Sequence, residues 1–146
     1  MLSLIGLTEI GAVTLKRDRT APGLARQEMA RLLGDEHSVM DVLALVVSEL
    51  VTNSVRHADS GSGRGWVTVQ LDEGFGYLQV TVTDPGALFS APHRIPFQAR
   101  GSAAMAEDGR GLSLVNELTQ GMWGSRLLPL SGHRVVWCLL DLESFD

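Results

Sequence analysis

Lysine is almost absent from this chain: of its 12 basic residues only Lys16 is a lysine. A P-loop needs a lysine inside G-x-x-x-x-G-K-[ST], and Lys16 is followed by Arg17, so that kind of nucleotide site is excluded. Cysteine is as scarce. Cys138 alone permits neither an intrachain disulfide nor a thiolate metal cluster, and its neighbours Val135, Val136, Trp137, Leu139 and Leu140 predict an inert thiol on a buried strand. Positive charge is lacking too. A net charge of −5 and a pI of about 5.3 leave no basic footprint for a protein held on nucleic acid by phosphate contacts. No apolar run reaches the roughly 20 residues of a membrane span, and the opening MLSLIGLTEIGAV carries Glu9 and no basic start. The chain therefore reads as soluble and cytoplasmic, with no membrane and no direct nucleic-acid partner.

What is present fits one domain spanning residues 1–146. At 45% apolar content a chain of this length can bury about 68–70% of its unfolded surface. IGAVTLK (10–16) alternates as a first strand, and Pro22 opens a helix that Gly34 closes after Leu33. HSVMDVLALVVSELVTNSVRHA predicts about five helical turns, with Ser38 as N-cap and Asp41 as its acidic partner three residues on. WVTVQLD and YLQVTVTD form a hairpin around Glu73 to Gly76. Pro85 to Gly111 is irregular, and a loop of that length in a small domain is functional or mobile. A helix from Leu112 to Thr119 and a second hairpin, MWGSRLLPL with HRVVWCLLDL, complete the order. The expected fold is α+β, a two-layer sandwich in which about three helices cover one face of a mixed, mostly antiparallel sheet.

SELVTNSVRHA, at the end of the long helix, repeats Glu49, Asn53 and His57 at intervals of four. Such spacing places a carboxylate, an amide and an imidazole on one slowly drifting face. Two readings stand. The stripe is the solvated edge of an amphipathic helix, with His57 suited to the C-terminal end. Or Glu49 accepts a proton from a hydroxyl or water, while carboxylate and amide oxygens hold a hydrated magnesium ion. Asp84 then ends an apolar strand at Pro85-Gly86, a common turn but also a place where a carboxylate is held at a strand terminus. Gly109, Arg110 and Gly111 precede a helix, where free backbone amides favour phosphate, although a plain hinge has the same pattern. The order of these pieces along the chain is more specific than any one of them.

ELVTNSVRH resembles the N-box of the GHKL, or Bergerat-fold, ATPases, VTDPG their aspartate-glycine box, and GRGLSLV their second glycine box. With WGSR and VVW added, the chain looks most like the stand-alone actinobacterial anti-sigma factor serine kinases over roughly residues 20–141. That resemblance implies a Bergerat ATP-binding fold with ATP and Mg as cofactors. It implies Glu49 as general base toward a substrate serine, Asn53 as Mg²⁺ ligand, and His57 as a supporting residue. It further implies Asp84 as hydrogen-bond partner of the adenine amino group, with Gly86 permitting close approach of the base. Gly109, Gly111 and the amides of the helix from Leu112 are implied at the phosphates, Arg110 at the transferring group, and Ala87 to Asp108 as a lid. Two positions depart from the family pattern. Leu88 replaces a common glycine, and His133 and Arg134 stand where the late hairpin often has a threonine.

The function so implied is an ATP-dependent serine/threonine-protein kinase that acts as an anti-sigma factor, with a sigma factor and an anti-anti-sigma factor as protein partners. Phosphate added to the antagonist's binding surface would break one complex and free the chain for the other. A catalytically inactive, nucleotide-dependent binding module is the alternative. The catalytic half of a two-component sensor fits poorly, since none of His37, His57, His93 and His133 lies in an upstream helical hairpin. A homodimer is conceivable through a sheet edge or through Leu2, Leu4, Ile5 and Leu7.

Overall fold

Strands with one apolar face set the architecture. In this computed structural model, which describes residues 6–59, 65–86 and 110–145, they are β1 (Thr8–Lys16), β2 (Trp66–Gly74), β3 (Tyr77–Asp84), β4 (Trp123–Leu127) and β5 (Arg134–Asp141). They form one five-stranded sheet in the order β1-β2-β3-β5-β4. Each described pairing is antiparallel, so the mixed sheet expected from the sequence is more uniform than anticipated. The register stacks Leu71 beside Val80 and Cys138, and Val69 beside Val82 and Val136. These residues are buried in the core, while Thr68, Gln70, Thr81 and Thr83 alternate onto the other face, as a period of two requires. Phe75 and Gly76 join β2 to β3 with φ of 57° and 81°. Positive φ at both positions of a two-residue loop gives a turn whose twist matches the strands it connects.

Three helices, α1 (Ala21–Leu33), α2 (Met40–Asp59) and α3 (Arg110–Leu118), pack on that apolar face among the described residues. Pro22 sits in the first turn of α1, and Gly34 ends it at φ 94° with its N–H on the Ala30 carbonyl at 2.7 Å. The start of α2 differs from the expected Ser38 cap. Val39 N–H donates to His37 Nδ1 at 3.2 Å, and the Val39 carbonyl takes the first helical bond, from Leu43 N–H at 2.9 Å. Val39 is wholly buried, so core packing draws it to the helix boundary and leaves Ser38 exposed. Helix α3 begins two residues earlier than expected, which puts Arg110 and Gly111 in its first turn.

Val46, Val47, Leu50 and Val51 of α2 share one core with Ala25 and Met29 of α1 and with Leu112 and Val115 of α3. Each buried aliphatic side chain contributes about 1.5–3 kcal/mol, so this layer supplies the rigidity on which polar groups at its margin are held. The lid segment Ala87 to Asp108, with Leu88 and Gly109, lies outside the described residues, as do Leu2, Leu4 and Ile5.

Candidate functional site

At the end of β3 the side of the sheet that faces the helices turns polar. Asp84 follows Val82 on that face and is only 1% exposed. Its Oδ1 accepts from Gly86 N–H at 2.8 Å and pairs with Arg17 Nη2 at 3.3 Å. Its Oδ2 accepts the Ser54 hydroxyl at 2.5 Å and Arg134 Nη2 at 3.1 Å. Arg17, also 1% exposed, donates its Nε to the Ser54 carbonyl at 3.0 Å and to Ser54 Oγ at 3.2 Å. The bend after β1 thus delivers Arg17, α2 delivers Ser54, β3 delivers Asp84, and β5 delivers Arg134, which stands opposite Asp84 in the strand register. Burial pushes the Asp84 carboxyl up. Arg134, the Ser54 hydroxyl, Arg17 and the Gly86 N–H together outweigh it and hold the group below the usual aspartate value.

Ser54 follows Asn53, so the same turn of α2 carries the polar stripe. Asn53 is 6% exposed and its Nδ2 is buried without a hydrogen-bond partner, while Glu49 and His57 are half-buried. A solvated helix edge, the plainer reading of the stripe, does not describe Asn53. An amide nitrogen left without a partner in a protein interior costs about 1–3 kcal/mol, and such a group calls for an explanation. Turning the amide by 180° exchanges its nitrogen and oxygen, so this position can either donate to an anion or offer an oxygen to a cation. Among the described residues no three His, Cys, Asp or Glu side chains gather around one point. A cation here would take amide oxygen, phosphate and water, a ligand set that suits Mg²⁺.

Gly86 has φ of 77°, and a Cβ on it would collide with the Gly132 carbonyl oxygen. The turn after β3 is therefore seated directly on the loop between β4 and β5, and this contact accounts for glycine at position 86. At the rim, His133 meets Trp66 edge-on with ring centroids 5.0 Å apart. On the other side, Leu112 and Val115 tie α3 to α2 through the core. The first amides of α3, from Arg110, Gly111 and Leu112, have no carbonyl within their own helix to bond. Leu112 itself is a buried anchor.

The sequence names Glu49, Asn53, His57, Asp84 and Gly86 as candidates but gives no notice of the partners of Asp84. Ser54 carried a faint signal, a small polar residue beside Asn53 in an apolar helix. Arg134 was visible only as a departure from a family pattern. Nothing local distinguishes Arg17, since its burial depends on where the end of β1 meets α2.

Residues 15–124 match the family described as Histidine kinase-like ATPase domain. Curated relatives include the serine-protein kinase RsbW of Listeria innocua serovar 6a and that of Listeria monocytogenes serotype 4a. Each is 32% identical over 100 residues, which is 65% of this chain and 64% of the relative. The chain thus spans just under two thirds of the length of these relatives. The match to the family contains Arg17, Asn53, Ser54 and Asp84 and stops short of Arg134. With an α+β sheet of antiparallel strands covered by helices on one face and a match across most of its length, the chain belongs to the histidine kinase-like ATPase domain family.

Proposed function

We propose that the chain binds ATP with Mg²⁺ and transfers the γ-phosphoryl group to a serine of an anti-anti-sigma factor, acting as an anti-sigma factor while that antagonist is phosphorylated. The observation that carries this reading is the buried, unpartnered amide of Asn53, one helical turn from Glu49 on a helix packed against α3. Phosphoryl transfer asks the protein mainly for positioning and charge neutralisation. In this reading Glu49 takes the proton of the serine hydroxyl as its oxygen bonds to the γ-phosphorus, and the bond to the bridging oxygen breaks to release ADP. Asn53 is the protein ligand of Mg²⁺, which when bound neutralises phosphate charge. Gly109, Gly111 and the amides at the start of α3 hold phosphate oxygens. Arg110 stabilises the transferring group, Asp84 reads the base, and His57 supports the stripe.

Calorimetry with ATP and Mg²⁺ on the parent and on Asn53→Ala tests the metal assignment; unchanged affinity in the variant removes it. Single-turnover transfer of labelled phosphate to an anti-anti-sigma factor tests the kinase. A Glu49→Ala variant as fast as the parent removes the base. The alternative is a nucleotide-dependent binding module without turnover. Nucleotide uptake with no transfer in the single-turnover assay selects that reading.

A further inference from the structure

We infer that Arg134 competes with the nucleotide base for Asp84 and so sets the affinity of the site; this rests on the proposed assignment of Asp84 to the base. A carboxylate offers about four lone-pair positions. Three on Asp84 accept hydrogen bonds, Oδ1 from Gly86 N–H and Oδ2 from Ser54 and Arg134, while Arg17 Nη2 stands 3.3 Å from Oδ1 as a counter-ion. An exocyclic amino group on a base needs one of these positions as its acceptor. Oδ2 already carries two donors, so a base read through that oxygen must displace Ser54 or Arg134.

The groups around Asp84 are not equally held. Gly86 N–H belongs to the backbone turn, which is pinned against Gly132. Ser54 is fully buried on the core helix, and Arg17 is bound to the Ser54 carbonyl as well as to the carboxylate. Arg134 lacks such a second anchor. It reaches Asp84 through Nη2 alone, without the two-pronged geometry that makes guanidinium pairs strong. Its Nε is buried with no hydrogen-bond partner. Its side chain is 14% exposed against 2% for that of Asp84, which gives it a way out to water. Withdrawing Arg134 hydrates the stranded Nε, and Asp84 keeps Arg17 as its counter-ion. The donor that leaves is thus Arg134.

The consequence has an unusual sign: removing a positive side chain from the site tightens the binding of an anionic ligand. Titrating ADP and ATP, each with Mg²⁺, into the parent, Arg134→Thr and Arg134→Lys measures it, with circular dichroism confirming that each is folded. Arg134→Thr is expected to bind ADP about tenfold more tightly than the parent, equivalent to about 1.4 kcal/mol. Arg134→Lys, which restores a cation, is expected to return the affinity toward that of the parent. A residue that merely supported the hairpin would weaken binding when removed. Equal or weaker binding by Arg134→Thr, with the parent binding normally, overturns the inference and leaves the nucleotide reading standing. No uptake by the folded parent and folded Arg134→Thr alike overturns both.

Discussion

Ser54 donates its hydroxyl to Asp84 Oδ2 at 2.5 Å, and this bond joins the helix that carries Asn53 to the strand end that carries the buried carboxylate. Through it, two motifs 30 residues apart share one rigid polar cluster. Ser54→Ala removes a donor to a buried charge while Arg17 and Arg134 remain. A loss of about 1.5–3 kcal/mol is expected, seen as a lower urea midpoint with an unchanged slope.

Asp84→Ala is the more damaging change. Asp84 faces Arg17 at 3.3 Å and Arg134 at 3.1 Å, and without it Arg17 stays in the interior beside no carboxylate from β3. Removing one partner of a buried ion pair costs about 3–5 kcal/mol. Adding Arg134→Thr to Asp84→Ala should cost less than the sum of the single changes, because the second arginine no longer has a carboxylate to lose. A double-mutant cycle in urea reads that coupling.

The same cluster predicts an acid response. The folded-state pKa of Asp84 lies below its unfolded value, so its contribution to stability is complete above the unfolded pKa and is lost as pH falls through the folded one. Urea midpoints should hold steady at neutral pH and decline from about pH 5 downward. Arg134→Thr removes one of the influences that lower this pKa, so its acid decline should be shallower than that of the parent.

Gly86 sits at φ 77° with its missing Cβ aimed at the Gly132 carbonyl. Gly86→Ala meets both a left-handed backbone penalty of about 1–2 kcal/mol and a backbone collision. We expect destabilisation above that figure. Gly132→Ala, where no atom lies within 4 Å of the added carbon, should show the backbone penalty alone. Comparing the two thermal unfolding midpoints separates collision from conformation.

Cys138 lies buried on β5, and burial pushes its thiol up to about 12 against the opposing effect of a backbone hydrogen bond with Val80. Thiolate is the reactive form, so alkylation at pH 8 should be negligible in native protein and rapid in 6 M urea, as mass spectrometry would show. Fast modification of native protein would contradict the strand placement.

Much of the frame was legible in the sequence because period and punctuation agree there. Alternation through Val67, Val69 and Leu71 gave β2, and Pro22 and Gly34 bracketed α1. The hairpin of β2 and β3 followed from two alternating runs around Phe75-Gly76. Position within the sheet was less accessible. That β5 lies between β3 and β4 depends on long-range pairing, and only that pairing puts Arg134 opposite Asp84. The spacing of Glu49, Asn53 and His57 identified a face, but a solvated edge and a site have the same spacing. The burial of Asn53, set by tertiary packing, excludes the solvated edge at that position. No helix among the described residues is long and apolar enough to cross a membrane.

The sheet order also bears on how the chain reaches its native state. Strand β5 is the last along the described chain, yet it lies between β3 and β4 and pairs with both. A nascent polypeptide whose synthesis has reached only Leu127 has no mate for the outer edge of β3 or for β4, and its half-formed sheet is exposed to proteases and to neighbouring edges. Closure is postponed until the final hairpin leaves the ribosome, so resistance to digestion should appear abruptly with the segment ending at Asp141 rather than build up gradually during translation.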